Sequence, residues 1–166
     1  NRKVVHIATP YDDVIIKLNS RLNKTYISYG ALGAAKIQQQ SAQDSNAMEM
    51  EEAVAVKRAV SKSSSLYTNS SWDLVDASKS EDFDLAKIKK EQLPTELQSK
   101  SKAEIASYIA GKKRERSAIQ KEIQELNIKR EAYIASQQKD NEKGELENAM
   151  LIAIKKQAAK KNYRWE

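Results

Sequence analysis

The chain has 166 residues, a net charge of +6, 40% apolar and 31% charged residues, and only four Gly and two Pro. With aromatics at 6%, this balance favours long helices with narrow apolar stripes over a thick globular core. The absence of Cys excludes disulfides, thiolate metal sites and Cys nucleophiles, and no apolar run approaches the ~20 residues of a bilayer span.

Residues 3–8 are β-branched, apolar and flanked by polar residues, and they predict a short strand. Thr9 is a fit N-cap and Pro10 suits a first helical position, so a helix is expected over 9–24, with Tyr11, Ile15, Leu18 and Leu22 on its buried face. Residues 25–29 have the pattern of a second short strand stopped by Gly30. From 34 to 60 the Ala/Gln/Glu-rich chain predicts one or two helices with a thin stripe of Met50, Ala53, Val54 and Val60. Residues 61–65 are a serine-rich break. Ser70 and Asp73 resemble a capping pair for a short helix at 72–77. Loops and short turns follow over 79–100, with Leu93-Pro94 as a breaker.

The clearest element starts at Ser101, which forms a capping box with Glu104 ahead of a Pro-free stretch predicted to be one helix over 102–138. Gly111 weakens it by only about 1 kcal/mol relative to Ala. Steps of seven link Ile105, Lys112, Ile119, Leu126 and Tyr133, and a parallel set links Ile109, Arg116, Ile123 and Arg130. The result is a heptad-like seam with a basic gap at Lys112 and Arg116. Residues 140–144 predict a turn, and a last helix over 146–160 is expected to pack back antiparallel through Leu146, Met150, Ala153, Ile154 and Ala158. Tyr163-Arg164-Trp165-Glu166 alternates like a strand and is expected to return to the base. The fold expected is therefore mainly α: a long antiparallel helical hairpin on a small helical base with one or two short β-segments. The organisation expected is 1–30 as the end of an α/β unit, 31–100 as a helical and loop connecting region, and 101–166 as the hairpin with its returning segment.

Two stretches carry a resemblance. One is Thr9-Pro10-Tyr11-Asp12-Asp13 with Lys17-Leu18-Asn19 and the run from Leu22 through Asn23-Lys24-Thr25-Tyr26-Ile27-Ser28-Tyr29 to Gly30. The other runs from Lys57-Arg58-Ala59-Val60-Ser61-Lys62 through Ser71-Trp72-Asp73-Leu74-Val75-Asp76-Ala77. Together they resemble the end of the von Willebrand factor type A domain, and the helical extension after it, in a group of large bacterial proteins. The resemblance implies that residues 3–8 are a late strand of a Rossmann-like sheet with the next helix beside it. It further implies an extracytoplasmic location, periplasmic or secreted. Domains of that type bind a divalent metal through an Asp-x-Ser-x-Ser loop after the first strand, which would precede Asn1, so the family's metal site is expected to be missing here. Residues 1–8 lack an apolar run after Arg2-Lys3, so any targeting signal is also expected outside this sequence.

Asp76-Ala77-Ser78-Lys79-Ser80 matches the metal-loop string literally, but the residues before it are too short and too acidic for the buried strand the loop requires. His6, the only histidine, has no nucleophile or orienting group beside it, and Asp12-Asp13 are adjacent on a helix and so do not face each other. No enzyme, no cofactor and no metal are therefore expected. Residues 1–83 hold 10 Lys+Arg and 10 Asp+Glu, whereas residues 84–166 hold 19 and 13, so the whole positive excess is C-terminal. Its densest cluster, Lys112, Lys113, Arg114 and Arg116, is the candidate anion-binding site, for nucleic acid, acidic polysaccharide or lipid headgroups. Interspersed glutamates favour a solvated helix face instead. The function expected first is a non-enzymatic structural or protein-interaction module of a larger bacterial protein. A protein partner is preferred to nucleic acid, with a homo-oligomer through the hairpin as one form of it.

Overall fold

A computed structural model describes residues 6–160. Helix α1 (Asp12–Asn23) begins two residues later than the expected Pro10, with Tyr11 rather than Thr9 in the N-cap position and no side-chain cap. The Asp12 carboxylate reaches back to accept hydrogen bonds from the Thr9 backbone N–H (2.9 Å) and from the Thr9 hydroxyl (2.7 Å), which ties down the first turn. Ile15, Leu18 and Leu22, three and four residues apart, form its buried face as the spacing predicts.

Gly30 adopts φ +77°, a left-handed backbone that only glycine takes without strain, and it ends the segment after α1. That segment is not a strand. Its pairing is one bridge between Ser28 and Asp73, flanked by hydrogen bonds from Tyr29 N–H to the Trp72 carbonyl (2.8 Å) and from Leu74 N–H to the Ile27 carbonyl (2.9 Å). Residues 6–8 have no strand structure either, and the remainder of the predicted first strand lies outside the described residues. The Ala/Gln/Glu-rich stretch forms two helices, α2 (Gly33–Met50) and α3 (Glu52–Lys62), parted by the single extended residue Glu51. The inward face of α3 is Ala53, Ala55, Val56 and Ala59; Val54 and Val60 are half-buried and Met50 is exposed, so the predicted stripe was partly displaced.

Asp73 caps the four-residue α4 (Leu74–Ala77), its carboxylate accepting from the Asp76 N–H at 2.9 Å. The region 79–100 contributes two 3-10 turns, Leu85–Lys87 and Lys90–Gln92, and the short α5 (Thr95–Gln98). It is more than a connector, because Leu93 and Leu97 are buried.

Helix α6 (Lys102–Lys160) has 59 residues, which at 1.5 Å per residue makes it about 88 Å long. Ser101 caps it, accepting from Glu104 N–H at 3.2 Å. The helix passes Gly111 unbroken, as predicted, but it also passes Gly144, so the predicted antiparallel hairpin does not form. One glycine costs about 1 kcal/mol, too little to end a helix flanked by strong formers such as Glu142, Lys143, Glu145 and Leu146. The proximal part of α6 packs on α1, α3 and α4 instead.

Two apolar clusters build the base. The first joins Ile15, Leu18, Leu22, Tyr26, Val56, Ala59 and Trp72 to Ile119 and Ile123 of α6. The second joins Ile27, Leu74, Val75, Leu93 and Leu97 to Ile105 and Ile109. Both draw on the stretches before residue 30, between 31 and 100, and beyond 101, so the proximal part of α6 completes a base that no one stretch encloses. The predicted return of residues 163–166 lies outside the described residues.

Candidate interaction surface and the clamps that hold it

Arg116 is buried in the base, where its guanidinium makes four hydrogen bonds. Nε donates to the Thr25 hydroxyl at 2.9 Å. Nη1 donates to Asp73 Oδ2 at 2.7 Å and lies 3.1 Å from Asp76 Oδ1. Nη2 donates to the Thr25 carbonyl at 2.9 Å and to Asp73 Oδ1 at 3.2 Å. The guanidinium carbon lies 4.0 Å from the centre of the Tyr26 ring, and Tyr26 in turn stacks on Trp72. Asp73 therefore serves three elements at once: it caps α4, accepts the Ile27 N–H at 2.8 Å, and holds α6 through Arg116. Burial pushes the Tyr26 hydroxyl far above its ordinary pKa.

Four helical turns further on, buried Arg130 donates from Nε to Asp12 Oδ1 at 2.8 Å, while its Nη1 meets Glu131 at 3.2 Å. Burial alone would raise the Asp12 carboxyl, but the bonds from Thr9 and the Arg130 charge outweigh it and hold the pKa below the usual value. A third cation, Lys62, ties α3 to α1 and α2. Its ammonium contacts Asn23 Oδ1 and lies 2.7 Å from Asp44 Oδ2, an oxygen that also accepts from Asn19 and Asn23. Arg58 takes the other oxygen of Asp44. Burial pulls the Lys62 pKa down, and Asp44 offsets only part of that. For Asp44 the same burial acts upward, but Lys62, Asn23 and Arg58 together overcome it and leave the carboxyl below its ordinary value.

These clamps take up one residue of the candidate anion site. Arg116 is buried and faces inward on Thr25 and Asp73, away from any external anion. Lys112 is half-buried, its ammonium 3.4 Å from Glu115 and 5.7 Å from the centre of the Tyr108 ring. Lys113 and Arg114 are exposed on other sides of the helix. The four residues do not converge. Neither do those of the Asp76–Ser80 string. Asp76 lies within α4 and accepts from Asn69 N–H and Lys79, each at 2.8 Å, whereas the Ser78 hydroxyl donates to the Val75 carbonyl. His6 is exposed. Sequence reasoning missed Lys62 and Asp44 as a buried pair. It did place Arg116 and Arg130 in register with Ile109 and Ile123, the one signal that they point into the core.

Among the described residues, α6 beyond the base runs on exposed. Every residue from 138 to 157 is exposed. Large apolar side chains are among them: Leu146 is 62% exposed, Met150 56%, Leu151 56%, Ile152 60% and Ile154 49%. Leu146, Met150, Ala153, Ile154 and Leu151 fall on one broad side of the helix, which makes that side an exposed apolar stripe. The base is thus a clamped mount and the distal helix a projecting arm, a mainly α architecture. Comparison of the chain with known protein families, with curated proteins and with solved structures yields no match.

Proposed function

We propose that this chain is a non-enzymatic structural and protein-interaction module of a larger bacterial protein, in which the base holds the distal part of α6 out toward a protein partner. The observation that carries the reading is the exposed apolar side of residues 146–154, within a stretch exposed from 138 to 157 among the described residues. Isolated helices owe little stability to propensity alone, so a projecting apolar arm gains from a surface to bury against. The buried titratable groups of the base are engaged with one another, which supports a holding role over a reactive one. The resemblance of residues 3–77 to von Willebrand A-type bacterial proteins favours a parent protein of that kind and an extracytoplasmic location. The alternative, anion binding through the basic part of α6, is weakened by the loss of Arg116 to the core.

The reading is tested by placing a photo-crosslinking amino acid at Met150 or Ile154 in the cells that make the parent protein, with Glu122 on the exposed side of the base as the control position. Discrete adducts from the two arm positions and none from Glu122 are expected. No adduct from either arm position overturns the reading.

A further inference from the structure

Resting on the reading of α6 as an interaction arm, we propose that the partner of the arm is a second copy of this chain, bound antiparallel about a two-fold axis near Leu151. The charges of the arm are segregated. Over residues 140–147 four carboxylates, Asp140, Glu142, Glu145 and Glu147, stand against one ammonium, Lys143, for a net of −3. Residues 148–154 carry no charge, and over residues 155–160 Lys155, Lys156 and Lys160 bring +3. A parallel pair would set −3 against −3 and +3 against +3. An antiparallel pair sets each acidic segment against the basic segment of the other copy, twice over by symmetry, and so selects both partner and direction. With the axis at Leu151, Glu147 falls opposite Lys155 and Glu142 opposite Lys160, while the uncharged apolar segments cover each other. Lys160 of one copy comes level with Glu142 of the other, on the exposed part of α6.

The experiment uses the full chain. Sedimentation equilibrium is expected to show a reversible monomer–dimer equilibrium. Met150→Glu with Ile154→Glu should weaken it about tenfold or more. Glu145→Lys with Glu147→Lys should weaken it too, through like charge. All four residues are exposed and touch nothing in the base, so the melting temperature of the base serves as the folding control. Direction is read from a nitroxide on Lys139→Cys, a clean label because the chain has no Cys. An antiparallel dimer puts the two labels about 36 Å apart, and a parallel one brings them to within about 10 Å. A chain that stays monomeric into the hundreds of micromolar overturns the proposal, as does the short distance or a dimer indifferent to the arm substitutions. A monomer whose arm positions still cross-link to a different protein removes the second copy and leaves the interaction arm standing. Absence of both dimer and adduct removes both.

Discussion

At the scale of single residues, Arg116 is where the base is most exposed to damage. Truncating one side of a buried, hydrogen-bonded ion pair leaves the other charge stranded, at a cost of about 3–5 kcal/mol. Arg116→Ala would strand the fully buried Asp73, whereas Asp76 keeps Lys79, so equilibrium urea unfolding is expected to show a loss of that order. Arg116→Lys is expected to recover only part of it, because a lysine ammonium has three donors on one nitrogen where the guanidinium supplies five in a fixed plane. Acid acts on the same kind of contact. Asp12 and Asp44 have folded-state pKa values below their ordinary ones, so the stability they contribute is full above about pH 4 and is lost as pH falls through the lowered values. Melting temperature should therefore hold from neutrality to mildly acid solution and then drop, and Asp44→Asn should lower the neutral plateau while flattening the drop.

At the scale of elements, α6 is one helix made of two unlike parts. The proximal part presents Ile105, Ile109, Ile119 and Ile123 to the base and is anchored by Arg116 and Arg130. The distal part has none of these supports, so its helicity rests on propensity and on whatever covers its apolar side. Gly144 sits in that unsupported part with nothing within 4 Å of where a Cβ would project. Gly144→Ala is accordingly expected to raise the helical signal in circular dichroism with the base melting unchanged, while Gly144→Pro breaks the arm, at a cost of about 3 kcal/mol to the helix. Ending the chain after Gln137 should likewise leave the base transition where it was. A clear fall in that transition would show that the arm helps to hold the base.

At the scale of the whole molecule, a good deal of this architecture was legible in the sequence. Composition excluded disulfides and thiolate chemistry, the Ser101 cap marked the start of α6, and spacings of three and four marked the inward faces of α1 and proximal α6. These are local properties, decided by backbone capping and side-chain direction within a few residues. Tertiary structure decided the rest. Whether residues 25–29 became a strand depended on a partner ladder, and Asp73 supplies only one bridge. Whether Arg116 was a surface cation or a core clamp depended on Thr25, Asp73 and Asp76 meeting it from segments 40 to 91 residues away along the chain. Whether α6 turned back at Gly144 was not decided by that glycine, whose cost of about 1 kcal/mol has little weight among strong helix formers. Capping and periodicity act over a turn or two of helix, whereas the site of a buried charge and the fate of an apolar stripe are settled by what the rest of the chain brings to meet them.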